Sequence, residues 1–211
     1  MLVGPDKVKW ALPENVLCSC SDFFKQALRG QFKESSGHIE LPEDDPVAFE
    51  HFIRSVYSVH MGNQPEAQLR ELPTSQVIDV YLLAYKYLNV IFQDASIGEV
   101  WCDLEADGLK SRSEYYSIID VFAKTQKSSK MRLLLARSFV YRHFCGASSG
   151  ANMPEWCEKI VEHGNAELNS ILLKEVFRWI ADYQKKTGLI KKPPTFLDFV
   201  GCVDDFLIES T

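Results

Sequence analysis

Apolar residues in the first hundred positions of the chain switch between two spacings. Val8, Trp10 and Leu12 alternate with Lys9 and Ala11, and Gly4-Pro5-Asp6 ahead of them supplies turn residues. Val3 to Leu12 therefore predicts a β-hairpin. Pro13 suits the first turn of a helix, and Glu14 favours its positive end. Val16, Leu17 and Cys20 give that short helix an apolar stripe. Ser21-Asp22 caps a second helix carrying Phe23, Phe24, Ala27 and Leu28, which Gly30 stops. Past the polar loop from Lys33 to Gly37, His38-Ile39-Glu40-Leu41 predicts a short strand ended by Pro42. Asp44-Asp45-Pro46 then starts a helix with Phe49, Phe52, Ile53, Val56 and Tyr57 on one face. Residues 60–72 read as loop. Pro73-Thr74-Ser75 opens a longer helix whose stripe is Val77, Val80, Tyr81, Ala84 and Leu88, and another helix holds Ile97, Val100, Trp101 and Leu104.

From Gly108 onward only the helical spacing remains. Tyr115, Ile118, Ile119 and Phe122 mark one amphipathic helix, and Met131 to Phe144 a second. Pro154 to Val161 and Leu168 to Tyr183 complete the set, the last with Leu172, Val176, Trp179, Ile180 and Tyr183 on one side. Ser148 to Asn152 is a connector. Phe196, Leu197, Phe199 and Val200, followed by Phe206 and Leu207, predict a final helix. The expected fold is α+β: a small sheet made of a hairpin and a short strand, covered by helical hairpins over residues 1–107. An all-α region over residues 108–211 follows. A sheet this small cannot bury its own face, so Phe23, Phe24, Phe49, Phe52, Tyr57 and Tyr81 are the expected core. Each buried large side chain stabilises by about 1.5–3 kcal/mol.

Composition narrows the functional classes. With 211 residues, 46% hydrophobic and 25% charged, the chain can bury a real core. The net charge of −6 argues against nucleic-acid binding, which draws on clustered Lys and Arg. No apolar run approaches the roughly 20 residues that cross a bilayer. No basic region followed by an apolar stretch marks a secretory leader. A cytoplasmic or nuclear protein with no membrane contact is expected. A chain that opens Met1-Leu2-Val3-Gly4 begins almost inside a strand, which points to native residues upstream.

The six cysteines do not build a metal site. Cys18-Ser19-Cys20 is a CxC rather than the CxxC of zinc sites, with no histidine at matching spacing. His143 and Cys145, two apart on a helix, point to different faces. A thiolate–imidazole pair drawn from these with Cys157 and His163 is therefore a remote reading. Phosphate loops, HExxH and GxSxG are absent. Asp103, Glu105 and Asp107 read as a solvated helix end. No catalytic residue, metal or cofactor is expected, and the chain does not read as an enzyme.

The order of the elements is more specific than any of them. Val3-Gly4 leads to Leu12-Pro13, then to Leu17-Cys18-Ser19-Cys20-Ser21-Asp22-Phe23-Phe24 and Phe32-Lys33-Glu34-Ser35. Ile39-Glu40-Leu41-Pro42-Glu43-Asp44-Asp45 follows, then Phe49, Phe52 and Val56-Tyr57, and last Tyr81-Leu82-Leu83-Ala84-Tyr85-Lys86-Tyr87-Leu88. This series resembles the BTB (POZ) domain in its compact fungal form, over about half the chain. The resemblance implies protein–protein binding, commonly self-association, and recruitment of partners to a cullin-type ubiquitin ligase scaffold. The family's cullin-contact motif is an apolar residue, any residue, then Glu, which Phe32-Lys33-Glu34 matches. The alternative is that Phe32 packs inward and Glu34 pairs locally in a self-associating scaffold with no cullin link. The family's swapped dimers exchange a strand and helix upstream of the Val-Gly hairpin, where this sequence has Met1-Leu2. A homodimer is thus expected to use another face, either Glu14 to Cys20 or the C-terminal helices. Those helices resemble, loosely, the extensions that follow BTB domains in adaptors, and Phe139, Trp156 and Trp179 are candidates for a groove there.

Overall fold

Tight turning at Gly4 sets the first strands in place. Its φ of +78° is costly for any residue with a side chain. A Cβ there would also stand 2.7 Å from Pro46 Cγ. The computed structural model describes residues 1–30, 37–106, 112–141, 162, 166–187 and 199–208. It divides into two compact units, Met1–Glu99 and Val100–Thr211.

In the first unit, strands β1 (Leu2–Val3), β2 (Val8–Lys9) and β3 (Glu40–Leu41) form a sheet in the order β2-β1-β3. Val3 faces Val8 across the antiparallel pair and lies beside Leu41 across the parallel one. The alternation expected from Val8 to Leu12 holds only in part. Val8, at the turn end of the hairpin, is exposed, whereas Trp10 sets its ring edge-on against Phe49 at 5.5 Å. Cover from α3 (Pro46–His60) reaches the far end of the hairpin and not its tip.

Helix α1 (Glu14–Cys20) follows Pro13, and Ser21 caps α2 (Asp22–Arg29). Asp45 caps α3 by accepting the Ala48 N–H at 2.9 Å, with Pro46 in the first turn. Residues 60–72 are more ordered than their polarity predicts. Two short 3-10 turns, Pro65–Ala67 and Leu69–Glu71, bury Leu69 completely. Buried Leu69, with half-buried Leu72 packed against the same core, pins this otherwise polar run. Helix α4 (Thr74–Lys86) follows, and the unit ends at Glu99, within α5 (Val90–Ala106).

Leu88 departs from the expected stripe. Helix α4 ends at Lys86, Leu88 takes a φ of +56°, and its side chain is 59% exposed. Leu88 N–H donates to Tyr85 O at 3.3 Å and Asn89 N–H to Ala84 O at 2.8 Å, the bond pair of a Schellman stop. The buried position belongs to Tyr87 instead. Asn89 then caps α5, accepting the Phe92 N–H at 2.9 Å.

In the second unit, α6 (Arg112–Lys124), α7 (Lys130–Val140) and α8 (Ala166–Thr187) bury Val121, Phe122, Leu134, Leu135 and Leu168 among others. Buried Arg132 secures the α6–α7 joint by donating to Phe122 O at 2.8 Å and Thr125 Oγ1 at 2.9 Å. Its guanidinium also lies 2.9 Å from Glu167. Ile180, expected on the inner face of α8, is exposed together with Leu173 and Phe177. The expected final helix breaks after Val200. Gly201 takes a φ of +102°, the chain makes a 3-10 turn at Val203–Asp205, and Phe206 is buried past it. Arg137 and Arg178, both on Glu175 Oε2, donate to Val200 O and Phe199 O and hold that segment down.

Candidate functional site

The Phe32-Lys33-Glu34 turn lies outside the described residues, but its two ends are fixed. On one side α2 closes with Gly30 N–H donating to Gln26 O at 2.8 Å. Arg29 near the helix end pairs with Glu14 at 3.1 Å. On the other side Ile39 is buried, and its carbonyl accepts the Leu2 N–H at 2.8 Å. Residues 31–36 thus connect the end of a packed helix to the edge of a paired strand.

A buried polar tie holds that frame. Ser21 Oγ accepts the Phe24 N–H at 3.2 Å and donates to Tyr87 O at 2.6 Å, joining the start of α2 to the end of α4. The Tyr87 phenol donates to Asp44 Oδ2, and Lys86 Nζ reaches Asp44 Oδ1 at 2.6 Å. Asp44 is only 6% exposed, so its charge depends on these two partners. Burial, and then the Asp44 carboxylate, push the Tyr87 phenol far above its ordinary pKa. The Tyr87 ring lies 4.6 Å from Phe24, 5.2 Å from Phe23 and 5.6 Å from Phe52. Sequence reasoning treated Asp44 as part of a helix start and Tyr87 as one letter of a motif. A hint was present: of two adjacent aspartates only one can cap, which leaves the other for a different partner.

A second feature had no sequence signal. Trp10-Ala11-Leu12, the α3 residues Glu50, Ile53, Arg54, Tyr57 and Ser58, and Met61, Asn63 and Gln68 line an open cleft of about 580 Å³. Its charged walls, Glu50 and Arg54, are paired with each other at 2.5 Å.

Residues 7–93 match the family model of the BTB/POZ domain. This stretch is a BTB/POZ domain. No curated protein and no solved structure matches the chain. The BTB domain accounts for the three-stranded sheet and for the helices that cover it, so the first unit is a protein-interaction module. The expected core of the BTB domain is largely in place, with Phe24, Phe49, Phe52 and Tyr81 buried and Phe23 and Tyr57 half-buried.

Other candidate residues fall as follows. His143, Cys145, Cys157, His163, Trp156 and Asp107 lie outside the described residues, as does the Trp179 side chain. Phe139 is buried, and Asp103 and Glu105 are exposed on α5. In α1, Cys20 Sγ donates to Leu17 O at 3.2 Å, and burial pushes its thiol up to about 11. No described helix is long and apolar enough to cross a membrane.

Proposed function

We propose that the chain is an adaptor, not an enzyme, whose BTB domain joins a partner protein to a cullin-type ubiquitin ligase scaffold through the 31–36 turn. The observation that carries this reading is the BTB/POZ match over residues 7–93. Phe32 supplies the apolar contact and Glu34 the charged one, as in the family motif, with Lys33 as the unspecified residue between them. The helical region that follows, from about residue 108, presents the recruited partner. Cytoplasm or nucleus is the setting, and neither nucleic acid nor lipid is a ligand.

Affinity capture from cell extract tests the reading. The wild-type chain is expected to retain a cullin, and the Phe32→Ala/Glu34→Lys variant to lose it while keeping its thermal transition. Equal cullin recovery by both would remove the turn from the mechanism. Capture of a second copy of the chain and no cullin by the wild type would favour a self-associating scaffold instead.

A further inference from the structure

The sheet of the BTB domain ends in an unpaired edge. In an antiparallel pair, residues alternate between bonding inward and outward. Met1 and Trp10 exchange main-chain bonds of 2.8 and 3.0 Å, so Lys9 and Ala11 on either side of Trp10 turn their N–H and C=O groups away from β1. Among the described residues nothing pairs with those groups, and both residues are exposed. Such an edge is a template for another extended chain unless a protein blunts it. Here it runs directly along the cleft that Trp10, Ala11 and Leu12 form with α3.

The cleft has a second property. Two buried polar atoms without a hydrogen-bond partner, Trp10 Nε1 and Ser58 Oγ, belong to residues that line it. Ser58 is only 8% exposed. Buried polar groups are almost always satisfied, and an orphaned one destabilises the free protein. One indole donor needs an acceptor, and one hydroxyl takes either role. A peptide group offers both. The walls carry no uncompensated charge, since Glu50 and Arg54 neutralise one another. Met61 at the rim, 78% exposed and unbranched, can move to admit a side chain.

We infer that the β2 edge and this cleft form a docking site for an extended, uncharged peptide segment of a partner protein. The segment adds as a strand along Lys9 and Ala11 and places an apolar side chain between Trp10 and Tyr57. Its main chain satisfies Trp10 Nε1 and Ser58 Oγ as the lining gives way. Strand addition of this kind takes affinity from main-chain bonds and selectivity from alternate side chains. The site rests on the interaction-module reading of the BTB domain but not on the cullin contact, so loss of either leaves the other standing.

The full 211-residue chain, labelled with nitrogen-15, is titrated with a blocked hexapeptide of alternating leucine and threonine. A copy N-methylated on its pairing edge is the control. The Trp10 indole N–H and the Lys9 and Ala11 amides are expected to shift together and saturate. N-methylation, Trp10→Phe and Met61→Glu should each raise Kd about tenfold. Met61→Glu alters an exposed side chain, so its undisturbed spectrum separates lost docking from lost folding. The inference is overturned if these signals stay unmoved to millimolar peptide, or if the N-methylated peptide binds equally. It is also overturned if the shifts map to another face, or if dilution alone moves the same signals, which would make the occupant a second copy of the chain.

Discussion

Replacing Tyr87 with phenylalanine deletes one oxygen from the centre of the BTB domain and almost nothing else. The ring contacts with Phe23, Phe24 and Phe52 at 4.6–5.6 Å persist, so no cavity opens. What is lost is the hydrogen bond to Asp44 Oδ2, on a carboxylate that is 6% exposed. A hydrogen bond to a charged group contributes about 1.5–3 kcal/mol. Lys86 still holds the other oxygen at 2.6 Å. The cost therefore stays below the roughly 3–5 kcal/mol of a buried charge stripped of its partner. We expect a loss of about 2–3 kcal/mol. For a unit of this size that lowers Tm by roughly 10–20 °C. Far-UV circular dichroism during heating and in urea measures it, with Asp44→Asn and the double variant closing a mutant cycle. A Tyr87→Phe loss below about 0.5 kcal/mol, or additive single variants, would refute the idea that this bond ties α4 to α3.

Leu88→Gly should stabilise by about 0.5–1 kcal/mol in urea unfolding, because Leu88 is exposed at φ +56° and a Schellman stop favours glycine; a loss would mean its side chain packs. Gly4→Ala should destabilise by at least about 2 kcal/mol, since strain at φ +78° adds to a Cβ 2.7 Å from Pro46, and an unchanged Tm would contradict the turn. Alkaline pH should unfold the first unit. The Cys20 thiol, raised from 9.0 to about 11, and the raised Tyr87 phenol both keep protons in the folded chain that the unfolded chain releases. Stability is thus complete below about pH 9 and falls as pH rises, Cys20 acting between about pH 9 and 11 and Tyr87 from about pH 10 upward. Tyr87→Phe should flatten the upper part of that fall in pH-dependent urea midpoints; an unchanged slope counts against it.

Helix starts were the most legible part of the fold, because they depend on local chemistry. Ser21 before Phe23-Phe24, and Asp45-Pro46, specify their caps within four residues. The end of α4 was not legible. Leucine is a poor residue for a left-handed stop, and it occupies one because burial of Tyr87 on one side and capping by Asn89 on the other leave no alternative. Leu69 illustrates the same limit, since its burial comes from distant packing and not from its polar neighbours. The Phe32-Lys33-Glu34 reading rests on its wording alone, and those residues lie outside the described ones. The cleft was not legible, because the Trp10–Leu12 segment, α3 and Gln68 share no local pattern. Orphaned polar atoms become visible only when burial is known.

The double duty of the Ser21 hydroxyl has a consequence in time. Its partner, the Tyr87 carbonyl, lies 66 residues further along the chain. At ribosomal speeds that separation corresponds to roughly 3–13 s of synthesis. Until then α2 has its cap but lacks its anchor, and Phe23, Phe24 and Phe52 have no tyrosine ring to close against. The BTB domain is therefore a late-closing fold, with its aromatic core open to solvent and to chaperones until nearly the whole domain has emerged. A nascent chain arrested before Tyr87 should be cut readily by protease in α2, and one arrested well beyond it should resist.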